Sequence, residues 1–270
     1  MRKILFILLI CGNVFGAQLV LISDIDDTIK ITGVKDPKMM MAYGMRDEEF
    51  FGLDSLYNFF LCHQGPKDCL ENGGRGVYDK NMIYVTGQPG PLHKLGERFL
   101  RKNNFPMAPN ILWKDSKQTT LDFKKEIIEK YIKMSSPNNK YILVGDNGEY
   151  DAQVYQYITG KYGDRVLASF IHMLYLPAGE KHQLLPGQIA YLTSVDLAVH
   201  FFNMKEIDGD SLQKIIDAGN KEILNKDNNL LKPWFACKYF KFKNWFPNIQ
   251  GQSASLQMFK KALFESKKCQ

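Results

Sequence analysis

Apolar runs rich in β-branched and aromatic residues recur along the chain at Leu19–Ser23, Met82–Thr86, Ile111–Trp113, Tyr141–Val144 and Arg165–Ile171, with helical patterns between most of them. This alternation predicts strand-helix-strand crossovers and an α/β fold with a doubly wound, mostly parallel sheet, whose ligands collect beyond the carboxyl ends of the strands. Asp24, Thr86 and Asp146 each follow such a strand at once. Nearly sixty residues separate the first two strands, including Met39-Met40-Met41, the helical stretch Leu53–His63 and the turn Gly73-Gly74-Arg75-Gly76. A connection this long predicts one sheet-covering helix plus a small insertion near a site entrance. The methionines read as core filling, with contact to acyl chains as the alternative. Beyond about residue 175 the pattern changes, and Tyr191–Met204 and Ser211–Leu224 predict amphipathic helices.

The N-terminus adds an export reading. Met1-Arg2-Lys3 precedes the apolar run Ile4–Ile10, and small residues follow at Gly16 and Ala17. The run is too short to span a bilayer core of about 30 Å, and its flanks predict a signal peptide cleaved near Ala17. Cys11 raises a lipoprotein site, but Ile10 is not the small residue that usually precedes one. Residues 1–17 carry Arg2, Lys3 and no acids, so the formal charge of +6 falls by two once they are removed. That mild, dispersed excess speaks against nucleic acid and suits an anionic substrate or lipid surface. Cys62, Cys69, Cys237 and Cys269 remain, an even number that permits disulfides or free buried thiols; Cys62–Cys69 would close a short loop and Cys237–Cys269 would pin the tail.

The chemistry concentrates at the first strand. Asp24 and Asp26 stand two apart where it ends, so both aim the same way, and one carboxylate can attack while the other moves protons. A calcium loop fails on spacing: counting from Asp24, position six is Ile29 and position twelve Lys35, where Gly and Glu are needed. A polar turn after a strand is the plain alternative. The histidines at 63, 93, 172, 182 and 200 show no ligand spacing.

The run Asp24-Ile25-Asp26-Asp27-Thr28 resembles the opening motif of haloacid dehalogenase-like hydrolases. With Ile29-Lys30-Ile31-Thr32-Gly33-Val34 it resembles more narrowly the phosphatidate phosphatase catalytic domain of actin-patch proteins. Phe51-Gly52-Leu53 with Leu56-Tyr57, Ile83-Tyr84-Val85-Thr86 and Leu143–Asp151 follow in the family's order. The resemblance implies a phosphatase core over residues 18–175; past it, the residue pattern predicts a helical and aromatic-basic extension over 176–270 packed on that core. The resemblance also implies an aspartyl-phosphate formed on Asp24, acid/base work by Asp26, and phosphate binding by Thr86 and a lysine opening the helix before the fourth strand. Lys124 and Lys125 both fit that lysine, following a helix cap expected at Thr120, and the spacing to Ile128 favours Lys124. A magnesium ion would be held by Asp24, Asp146, the Asp26 backbone carbonyl and Asp151.

The implied substrate is phosphatidate, with peripheral membrane contact. The lysines and aromatics of residues 232–246, including Trp234 and Trp245, could lie among lipid headgroups, or could form an edge strand or packed tail. The family usually has Ser-Asn-Ser-Pro-Trp here, whereas this chain has Thr86-Gly87-Gln88-Pro89-Gly90. The missing aromatic at Gly90 leaves soluble phosphomonoesters as an alternative substrate class, and a non-catalytic lipid- or partner-binding module as an alternative of another kind.

Overall fold

The computed structural model describes residues 18–65, 80–108, 111–114, 117–175, 183–224 and 254–265. Six strands form one sheet: β1 (Leu19–Ser23), β2 (Met82–Pro89), β3 (Ile111–Lys114), β4 (Lys140–Asp146), β5 (Val166–His172) and β6 (Ile189–Tyr191). Their order is β3-β2-β1-β4-β5-β6, and every pairing is parallel. In β1, Ile22 stands beside Ile83 of β2 on one side and Leu143 of β4 on the other. Val20, Leu21, Ile22 and Ser23 are all buried. Successive strand residues face opposite ways, so both faces of the sheet are covered, as parallel sheets require.

Eight helices are described: α1 (Pro37–Tyr43), α2 (Leu53–Gln64), α3 (His93–Lys102), α4 (Thr120–Met134), α5 (Asp151–Tyr162), α6 (Ser194–Asn203), α7 (Gly209–Ile223) and α8 (Ala254–Glu265). α2 packs on α6 and α7, and α8 docks on α7. α4 and α5 form a second pair, α4 lying against β2 and β3 and α5 against β4 and β5. Buried Tyr57, Phe60, Phe99 and Phe105 fill the α2 side of the core, with Phe123, Ile128, Tyr155 and Ile158 on the α4–α5 side.

The structure corrects four local expectations. α1 buries none of its residues, and Met40 and Met41 are 49% and 83% exposed, so they do not fill the core. Tyr191 belongs to β6, paired with His172, and the helix begins only at Ser194, where Thr193 and Asp196 form a capping box. α4 is capped by Thr119, whose hydroxyl oxygen accepts the Asp122 N–H at 3.1 Å, and Thr120 is its first helical residue. The sheet also runs past residue 175, taking β6 from the segment beyond.

Cys62 is disulfide-bonded, and its bonding partner falls outside the described residues. The leader at 1–17, Gly73–Gly76, Cys69, His182, Cys237, Cys269 and the aromatic-lysine stretch 232–246 also fall outside them.

Candidate functional site

The winding of the sheet reverses between β1 and β4: the connection from β1 leads to β2 on one side, whereas β4 leads to β5 on the other. Such a switch point opens a crevice at the carboxyl ends of the two strands. Asp24 leaves β1 there, its N–H donating to the Val144 carbonyl at 2.9 Å, and Asp146 is the last residue of β4. Both carboxylates are buried.

Helix geometry brings two more groups to this point. In α4, Lys124 and Ile128 stand four residues apart on the inward face, and both are buried. Lys124 Nζ lies 2.7 Å from Asp24 Oδ1 and 2.6 Å from Asp151 Oδ1. Lys125, its neighbour, instead sits over the Tyr157 ring at 5.2 Å. Asp151 opens α5, and its Oδ2 accepts the Asp146 N–H at 3.2 Å. Gly145 allows this close approach, because a Cβ there would come within 2.6 Å of the Asp151 Cβ. Burial works against the Lys124 ammonium, but the Asp151 and Asp24 carboxylates outweigh it and hold the pKa well above the usual lysine value.

Oxygens of Asp24, Asp146 and Asp151 lie within 4.8 Å of one another, a spacing one metal ion could bridge. Thr28 Oγ1 lies 3.2 Å from Asp24 Oδ2 and 3.5 Å from Asp146 Oδ2, and one hydroxyl proton cannot serve both. Asp146 Oδ1 meanwhile accepts the Gly148 N–H. Burial, then Asp151 and then Asp24, pushes the Asp146 carboxyl well above its usual pKa. Three buried carboxylates around one ammonium therefore have donor capacity to spare, all of it oxygen, and fit a hard divalent cation.

Asp26 stands apart from that cluster. Its Oδ2 accepts the Thr86 hydroxyl at 3.1 Å and its Oδ1 the Gln88 amide at 2.9 Å. Burial raises its pKa, opposed by nearby Lys30. Lys30 is itself buried, donates to the Gly44 carbonyl at 2.8 Å, and has its pKa lowered by that burial.

The structure thus brings Asp24, Lys124, Asp146 and Asp151 into direct contact and sets Asp26 beside Thr86. Sequence reasoning passed over Asp27, Lys30, Gln88 and Tyr175. Asp27 has φ 59° and ties the loop together: its carboxylate accepts from the backbone of Thr32 (2.9 Å), Gly33 (2.6 Å) and Val34 (2.9 Å), and from the Thr32 and Tyr175 hydroxyls. An available signal was the third Asp followed by Thr32-Gly33, since aspartates favour such turns and tolerate positive φ.

Comparisons with known proteins bear on the family of the chain. The family described as "Phosphatidate phosphatase APP1, catalytic domain" matches residues 19–173. Phosphatidate phosphatase APP1 of Saccharomyces cerevisiae is 29% identical over 160 residues, which is 56% of this chain and 25% of that protein. The chain therefore matches a quarter of that relative's length. A class C acid phosphatase from Bacillus anthracis with tungstate bound aligns over 74% of this chain and 78% of its own, at 14% identity and a TM-score of 0.27, too low to support any argument. The family match spans more than half of the chain and encloses β1 through β5 together with Asp24, Lys124, Asp146 and Asp151, so the chain belongs to the phosphatidate phosphatase APP1 catalytic-domain family.

Proposed function

We propose that this chain is an exported, magnesium-dependent phosphomonoesterase that works through an aspartyl-phosphate, with phosphatidate as its substrate. The observation that carries the reading is the switch-point crevice, where Asp24 meets Lys124, Asp146 and Asp151 while Asp26 waits two residues away. An Asp24 carboxylate oxygen attacks phosphorus as the ester P–O bond breaks, and Asp26 gives its proton to the leaving oxygen. Asp26, now ionised, then takes a proton from water, whose oxygen attacks the phosphorus and frees Asp24. Lys124 holds Asp24 in place and offers positive charge to the phosphoryl oxygens, and the Thr86 hydroxyl and backbone amide bind one of them.

Magnesium, held by Asp24, Asp146, Asp151 and the Asp26 carbonyl, would supply the charge that lets a carboxylate approach a phosphate dianion. Export is supported by the disulfide at Cys62, because such bonds persist mainly in oxidising compartments. The family's name supports a phosphatidate substrate. Gly90, which opens a short 3-10 turn where the family has an aromatic residue, favours a second reading in which soluble phosphomonoesters are cleaved.

The test measures phosphate release from phosphatidate vesicles and from soluble phosphomonoesters, with magnesium or with chelator, for the wild type and Asp24→Asn. Magnesium-dependent release lost in Asp24→Asn is expected. Release that survives the substitution would sink the nucleophile assignment, and preference for a soluble ester would favour the second reading.

A further inference from the structure

Two neutral donors hold the Asp26 carboxylate, and they come from adjacent same-side positions of one strand. Thr86 and Gln88 stand two apart on β2, so both side chains face Asp26, one to each oxygen. The Gln88 amide is itself fixed in place. Its backbone N–H donates to Thr86 Oγ1 at 3.1 Å, and the β2–β3 register shifts between Thr86 and Pro89. On α3, Gly96 leaves room for the layer: a Cβ there would stand 3.6 Å from Gln88 Oε1 and 2.7 Å from the Trp113 ring.

Gln88 Oε1 is buried and has no hydrogen-bond partner. An orphaned buried acceptor is unfavourable and calls for an explanation. With Asp26 ionised, as it is between the two half-reactions, reversing the amide would not relieve it, since Oε1 would then face a carboxylate oxygen. The orphan is the consequence of aiming Nε2 at Asp26.

We propose that Gln88 is a positioning residue that decides which oxygen of Asp26 carries the transferable proton. This rests on the reading of Asp26 as the acid and base. With Oδ1 already receiving the amide N–H, the proton sits on Oδ2, beside Thr86. When the Thr86 hydroxyl turns to phosphate, Oδ2–H faces the leaving oxygen. As the P–O bond breaks, the Oδ2–H bond breaks with it, its electrons stay on Oδ2, and the proton ends on the alcohol. In the second half-reaction Oδ2 takes a proton from water, with Oδ1 still held by Gln88.

The test compares kcat/KM of the full chain, with magnesium, on butyl phosphate and on p-nitrophenyl phosphate. kcat/KM reports steps up to the first phosphoryl transfer, so a shared slow dephosphorylation does not mask the result. An alkoxide needs protonation to leave and p-nitrophenolate hardly does. Gln88→Met keeps the side chain's length without the donor, and should lower the butyl-to-nitrophenyl ratio about tenfold. Gln88→Asn, one methylene short, should lower it in the same direction. The ratio does not depend on the fraction of protein folded, so a merely structural defect leaves it unchanged. An unchanged ratio in both Gln88 variants, with a lowered one in Asp26→Asn, overturns the inference alone. An unchanged ratio in Asp26→Asn, or no cleavage by the wild type, overturns the acid/base reading and the inference with it.

Discussion

Glu49 lines a cavity of about 310 Å³ with Asp54 and Lys214, and its Oε2 is buried without a hydrogen-bond partner. Burial, and after it the charge of Asp54, pushes its pKa from 4.5 to about 8. Between those values the folded protein binds more protons than the unfolded chain, so stability falls as pH rises through the window. Glu49→Gln is expected to change little below pH 4.5 and to raise stability by about 2–4 kcal/mol above pH 8. Urea denaturation at the two pH extremes checks this, and an equal effect at both would refute it. Of the crevice residues, Asp24, Thr86 and Asp146 were readable because each stands at the carboxyl end of an apolar strand in the order of one motif set, and Asp151 through its position five residues after Asp146. Lys124 was separable from Lys125 only through Ile128, since register on a helix decides which lysine turns inward. Gln88 gave no such signal, because an amide after a strand looks like any polar turn until Asp26 is seen beside it.

At the level of elements, the long apolar strands were legible to within a few residues, since burial on both faces leaves a continuous apolar run. β6 escaped because Ile189–Tyr191 is only three residues long, too short to show a period, and Tyr191 merges with the apolar pattern of α6. α8 escaped as well, and its place depends on one glycine. Leu256, Phe259 and Leu263 are buried, and a Cβ on Gly219 of α7 would come within 2.7 Å of Val195 and 3.0 Å of the Phe259 ring. Alanine normally favours a helix over glycine by about 1 kcal/mol. Here the overlap should prevail, and Gly219→Ala is expected to destabilise the protein by about 1–2 kcal/mol and to loosen α8. Thermal unfolding and limited proteolysis near residues 254–265 check this; a more stable variant would mean that the helices separate freely.

For the whole molecule, buried charge sets opposite limits on the two sides of neutrality. His172 is buried and His200 half-buried, and desolvation lowers each pKa from 6.5 to about 4, so stability is lost progressively as pH falls below 6.5 towards 4. The Asp146 and Asp26 carboxyls are raised by burial, so their ionisation lowers stability as pH rises. A cation held by the ionised carboxylates offsets the second loss and not the first. Magnesium should therefore raise the melting temperature more at pH 8 than at pH 5; scanning calorimetry with magnesium and with chelator checks this, and an equal shift at both would refute it. The strand order also bears on the making of the protein. Leu19–Ser23 is translated before both β2 and β4, yet in the sheet it lies between them, and residue 140 must be translated before its second neighbour exists. Until then the nascent chain carries an apolar strand with one edge unpaired, so the finished core cannot close before β4 is made. Closure of the sheet therefore waits on β4, the same strand that brings Asp146 to the crevice.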